Sequence, residues 1–116
     1  MWEIDYYEKE NGNIPVVEFL DSLPNNMSAK TLRTIDLLAS AGTALKEPFV
    51  KHIDGPIWEL RTQFGNDITR VFYFASCGHR FVLLHGFLKK TQKTLPREKK
   101  LAKTYYEDYE RRFLIE

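Results

Sequence analysis

The chain has 116 residues, 17 Lys and Arg against 16 Asp and Glu, and a single cysteine. This fits one domain spanning 1–116 and excludes both a two-domain arrangement and an intramolecular disulfide framework. Eight Phe, six Tyr and two Trp supply apolar area for a core, no run approaches the roughly 18 apolar residues of a membrane span, and MWEIDYYEKE lacks the features of a signal peptide, so a soluble cytoplasmic chain with no membrane contact is expected.

Trp2, Ile4 and Tyr6 alternate with Glu3, Asp5 and Tyr7, the period of a strand with one packed face, and the polar ENGN at 10–13 ends it. Asn13 suits the cap of a short helix with Pro15 in its first turn, whose Val16, Phe19 or Leu20, and Leu23 share a face up to Pro24. Ser28 is placed to cap a second helix running to Ala41, with Leu32, Ile35 and Leu38 or Ala39 as its buried stripe and Gly42 as its left-handed stop.

From Phe49 to Leu88 the period becomes two. A weak strand at 50–53 and a Gly55-Pro56 break precede IWELRT, DITRVFYFA and RFVLLHGFLK, joined by the glycine-containing turns FGN and SCGH. Thr94 precedes a last helix with Pro96 near its start and Leu101, Ala102, Tyr105, Tyr109 and Phe113 on its apolar face. The order is that of an α+β fold, its meander burying one sheet face under helices and leaving the other available.

Alternation places Arg61 with Ile57 and Glu59, and Arg70 with Phe72 and Phe74; in the last strand Phe81, Leu83, His85, Phe87 and Lys89 form one set. Bulky apolar residues occupy both faces of that strand, so the strand alone does not say which is open. Arg61, Arg70, His85 and Lys89, edged by KKTQK at 89–93, form the best site candidate. Arginine forks suit a phosphate, lysine adds a mobile charge, and an imidazole suits proton transfer near neutrality. The plainer alternatives are that Arg61 and Arg70 pair with Glu59 and Asp67, that His85 is a core-edge histidine, and that Lys89, Lys90 and Lys93 are a solvated strand exit. Arg97, Lys99, Lys100 and Lys103 are either a nucleic-acid flank or a solvated helix surface. His52, His79 and His85 form no compact metal motif, Cys77 has no evident activating partner, and no cofactor or metal is expected. The even overall charge is no obstacle to an RNA groove: residues 1–50 carry 4 basic and 8 acidic side chains, and residues 51–116 carry 13 and 8.

The order of elements, with GPIWELRTQFGNDITRVFYF and FVLLHGFLKKTQKTLPREKKLA, resembles the RelE/ParE superfamily of bacterial toxins, especially its HigB-like, phage-related branch. The resemblance implies a RelE-like small domain with helices packed on one face of a curved, mainly antiparallel sheet. It also implies a toxin of a type II toxin-antitoxin system, a ribosome-dependent messenger RNA endonuclease neutralised by a cognate antitoxin, often a helix-turn-helix DNA-binding protein. On this chain Arg61 and Arg70 are similar to the family arginines that engage RNA phosphates. His85, Lys89 and Lys90 are similar to the basic strand exit that completes the catalytic pocket, with Lys93 and Arg97 beside it on RNA. The implied reaction is metal-independent attack by the RNA 2'-hydroxyl. One departure is that some relatives carry a tyrosine on or after the last strand, where this chain has Phe87, Leu88, Lys89 and Lys90; Tyr73 or a helix tyrosine is left for that role. The competing readings are a ParE-like inhibitor of DNA gyrase and a non-enzymatic antitoxin-binding protein.

Overall fold

The structure, a computed structural model, describes residues 1–89 and 95–114. In chain order the elements are β1 (Glu3–Tyr6), α1 (Pro15–Asp21), α2 (Asn25–Ala41), β2 (Val50–Asp54), β3 (Ile57–Phe64), β4 (Asp67–Ser76), β5 (Arg80–Lys89) and α3 (Pro96–Tyr109), which runs into a π-helical turn at Glu110–Leu114. The sheet order is β1-β5-β4-β3-β2, with β1 parallel to β5 and the other pairs antiparallel.

Two helix starts differ from expectation. α1 opens at Pro15 after Ile14, with no side-chain cap, because proline surrenders no needed amide there; Asn13 instead donates its backbone amide to Oδ1 of Asn11 at 3.0 Å. α2 begins at Asn25 after Pro24, so Ser28 lies within the first turn, its amide donating to the Pro24 carbonyl at 2.9 Å. The inner stripe of α2 is Met27, Thr31, Thr34, Ile35, Leu38 and Ala39, and Leu32 is exposed. Thr31 is buried without penalty because its hydroxyl bonds the Met27 carbonyl and the Thr69 hydroxyl, each at 2.9 Å.

α2 ends at Gly42, which has φ +61° and is buried against Trp2; a Cβ there would lie 2.5 Å from the indole Nε1. Both features demand glycine. Gly42→Ala should therefore cost about 2–4 kcal/mol, read as a shift in the urea midpoint.

The sheet is covered on both sides. Leu60, Val71, Tyr73, Phe81 and Leu83 pack under α1 and α2, whereas Ile57, Phe72, Phe74, Val82, Leu84 and Phe87 pack with Ala102 and Tyr109 of α3. The α+β class and the mainly antiparallel sheet are as expected, but the helices do not all share one face: α3 crosses to the other because Ala102 and Tyr109 complete a second apolar cluster there. Leu101 and Phe113, expected on its buried side, are exposed.

A β-bulge sets the faces of β5. Phe72 pairs with His85 and Tyr73 with Leu83, so Leu84 is the extra residue and the alternation changes phase. Phe81 and Leu83 thus face α1 and α2, while Phe87 joins the α3 cluster, splitting the set that unbroken alternation puts together. Beyond the bulge Gly86 lets α1 lie against the strand, since a Cβ would come within 2.4 Å of the Phe19 ring.

α3 is tied back to the residue after β1. The Tyr7 hydroxyl donates to Asp108 at 2.7 Å, and Arg112 donates to the same carboxylate through Nε at 3.0 Å and Nη2 at 2.8 Å. The Tyr7 hydrogen bond, with help from Arg112, holds the Asp108 carboxyl below its ordinary value, and burial pushes the Tyr7 phenol up to about 12. A carboxylate lowered on folding stabilises the fold above its unfolded value of 3.8 and loses that contribution as pH falls through the folded value. Thermal melts should accordingly show Asp108→Asn as less stable than the wild type at pH 7 but with a smaller further loss toward pH 3.

Candidate functional site

The α3 face of the sheet carries the candidate residues in two adjacent cross-strand rows. Glu59, Phe72 and His85 form one row across β3, β4 and β5; Arg61, Arg70 and Phe87 form the next. Arg61 and Arg70 are direct partners, so alternation brings both guanidinium groups to the same side, as the sequence suggests.

They converge on Glu59. Arg61 donates through Nε to Oε1 at 3.0 Å, and Arg70 donates through Nη1 to Oε1 at 3.3 Å and Oε2 at 3.5 Å. The Glu59 and Arg70 side chains have no exposed surface, while Arg61 keeps 17%. A carboxylate with no access to water is tolerable only if its charge is met in place, and the two guanidinium groups meet it. Of the three, Arg61 alone reaches the surface. The cross-strand pairing considered as the plainer alternative is therefore present for Glu59, and Arg70 in this arrangement does not reach solvent to meet a phosphate.

His85 stands one row over. Its Nε2 lies 2.7 Å from Oε1 of Glu98 in the first turn of α3, and both side chains are 14% exposed. Phe72, Phe87 and Tyr105 surround the imidazole, with ring centroids 6.3, 6.0 and 6.0 Å away. Phe72 intervenes between His85 and Glu59 in the row, so the histidine and the arginine cluster are neighbours on one face and not a single hydrogen-bonded network among the contacts above. Strands spaced about 4.8 Å apart put the two backbones roughly 10 Å from each other.

The tyrosine alternatives also separate. Tyr73 is buried in the opposite core with Phe81 and Leu83, on the wrong face for the arginines. Tyr105 faces His85, and its phenol is raised, chiefly by burial and then by the charge of Glu18. Lys89 pairs through its backbone with Ile68, continuing β5 past Phe87; its side chain, with Lys90 and Lys93, lies outside the described residues. Arg97 is on the surface, its side chain 85% exposed and its Nε 3.7 Å from Glu98.

Glu98 is the site residue that sequence reading missed. Its one signal is the Pro-Arg-Glu opening of α3, 13 residues after His85, but nothing in that spacing says that the chain folds back to make them touch. Among the described residues no three His, Cys, Asp or Glu side chains come together to hold a metal ion, and no helix is long and apolar enough to cross a membrane.

A five-stranded mixed sheet with two helices on one face and a third on the other is a small α+β domain of the RelE-like class. The family described as Phage derived protein Gp49-like (DUF891) matches residues 18–107. The chain belongs to this family, which is RelE-like and toxin-like in character. No curated protein matches it.

Proposed function

We propose that this Gp49-like protein is a HigB-like toxin of a type II toxin-antitoxin system that cuts messenger RNA on the cytoplasmic ribosome. The observation that carries the reading is the convergence of Arg61 and Arg70, cross-strand partners, on the buried Glu59, with Arg61 partly exposed, on the same sheet face as the His85–Glu98 pair. Phosphodiester cleavage by an internal 2'-hydroxyl needs a cation for the oxygens of the pentavalent phosphorane, one group to take the 2' proton and one to protonate the departing 5' oxygen. The O2'–P bond forms as the P–O5' bond breaks, leaving a 2',3'-cyclic phosphate and a free 5'-hydroxyl, with no metal in the scheme.

In this scheme Arg61 binds the scissile phosphate. Arg70 is a positioning residue: with Glu59 it fixes the Arg61 guanidinium, a narrower role than the direct clamp expected from sequence. His85 carries one of the proton transfers, and Glu98 orients its ring through Nε2, as a carboxylate orients a catalytic imidazole elsewhere. Lys89, Lys90, Lys93 and Arg97 are the further RNA contacts of this reading. The ribosome supplies the remaining alignment of the 2'-hydroxyl. Membership of a toxin-like family implies an antitoxin partner, and a helix-turn-helix protein is the form proposed.

End analysis of messenger recovered from translating ribosomes is the test. The expected fragments end in 2',3'-cyclic phosphate and begin with 5'-hydroxyl; intact messenger together with inhibited gyrase supercoiling overturns the proposal. His85→Gln should lower the cleavage rate by about 10²–10⁴-fold at unchanged fold. Glu98→Gln should act through the histidine, lowering cleavage less than His85→Gln does and leaving no further loss in the double variant.

A further inference from the structure

The cross-strand row that holds the arginines continues one residue ahead of β2. Val50 pairs with Leu60, and the Arg61 amide donates to the Phe49 carbonyl at 2.7 Å. Phe49 therefore stands opposite Arg61, and the row reads Phe49, Arg61, Arg70, Phe87. Val50 turns into the core under α1 and α2, so alternation turns its neighbour Phe49 to the arginine side.

Exposure rises along this row toward Phe49. Phe87 is 8% exposed and Arg70 not at all, the Arg61 side chain keeps 17%, and Phe49 keeps 41%. The far end is closed by α3, with whose Ala102 and Tyr109 Phe87 is clustered, so a ligand reaches Arg61 from the β2 edge, past the Phe49 ring. That ring is carried on a fixed backbone: the Phe49 amide donates to the Lys46 carbonyl at 3.0 Å, and the Phe49 carbonyl is taken by Arg61. A lone exposed phenyl is ordinary. One set opposite a partly exposed arginine pairs a fork for a phosphate with an apolar face roughly 5.5 Å away, where the base of an adjoining nucleotide lies.

We propose that Phe49 is the stacking platform for a nucleobase next to the phosphate held by Arg61. The inference rests on the nuclease reading for the identity of that phosphate. A phenyl face stacks on any base, so Phe49 adds affinity and register without a strong sequence preference, and a base held there fixes which phosphate meets Arg61. Trp58 is nearly as exposed, at 39%, but it pairs with Tyr73 and shares the opposite face of the sheet, which makes it the matched control.

The test titrates the full chain, ¹³C-labelled in its Phe rings, with 2'-O-methyl-AAAA, which has no attacking hydroxyl and is not cut. The Phe49 ring signals, assigned by their loss in Phe49→Leu, should move upfield on binding. Phe49→Ala and Phe49→Leu should each weaken binding at least about fivefold at an unchanged urea midpoint, and Phe49→Trp should bind as the wild type does. Trp58→Ala should leave binding unchanged. Replacing the adenines one at a time by an abasic residue should, at one position, cost the wild type the same factor and cost Phe49→Ala nothing. No binding by the wild type, equal binding by Phe49→Ala, full binding by Phe49→Leu, or no position at which the abasic and Phe49 effects coincide overturns the proposal. The two readings fail separately: normal cutting of messenger with binding indifferent to Phe49 removes the platform and leaves the nuclease, whereas stacking on Phe49 by a protein that leaves messenger intact removes the nuclease and leaves an RNA-binding face.

Discussion

Glu59→Ala should destabilise the protein by about 3–5 kcal/mol, a large share of the roughly 5–15 kcal/mol that holds a domain of this size together. The reason is asymmetric burial. Arg61 emerges toward water and can relax, but Arg70 has no exposed surface, and removing the carboxylate leaves its guanidinium charged in a low-dielectric interior. The side chain cannot neutralise itself by losing a proton. Urea unfolding of Glu59→Ala and of Glu59→Leu/Arg70→Leu separates this cause from simple cavity formation. Removing both charges should recover most of the loss, because apolar replacements of a buried ion pair are tolerated where a broken pair is not.

Arg61→Ala should do the reverse: leave stability within about 1 kcal/mol of the wild type and lower messenger cleavage by about 10²–10³-fold. Arg70 still meets Glu59 after the substitution, so the buried carboxylate keeps a counter-charge, while the partly exposed cation proposed to meet the phosphate is gone. Arg61→Lys should restore only part of the rate, since an ammonium supplies charge without the planar fork that grips a phosphate in two places. Arg70→Ala, by contrast, should fail mainly through folding. Cleavage measured per folded molecule against the urea midpoint distinguishes the two arginines, which the sequence presents as equivalents.

That equivalence shows where legibility in the sequence ended. Period-two patterning grouped Glu59 with Arg61 in β3 and Arg70 with Phe72 in β4, because alternation is a local property of an extended chain; the register of the two strands puts both sets on one face. It did not reveal the bulge at Leu84, which depends on how β5 docks against β4 and which carries His85 and Phe87 to the arginine side while Leu83 stays with α1 and α2. Helix amphipathicity located α3, but its choice of sheet face follows from which apolar cluster Ala102 and Tyr109 complete. Burial was equally hidden: nothing in WELR separates an arginine at the rim from a carboxylate with no access to water. Glu98 reaches His85 only through tertiary folding, and Leu32 yielded its place on α2 to Thr31 because Thr69 waited on the strand below to satisfy the hydroxyl.

Mapping cut sites on a messenger held by translating ribosomes, with wild-type protein and folded Arg61→Ala side by side, tests most directly whether this sheet face is a nuclease site. The expected result is wild-type cleavage within the decoding site, reduced to about 1% or less by Arg61→Ala at matched stability. Intact messenger with folded wild-type protein, or equal cutting by the two proteins, would contradict it.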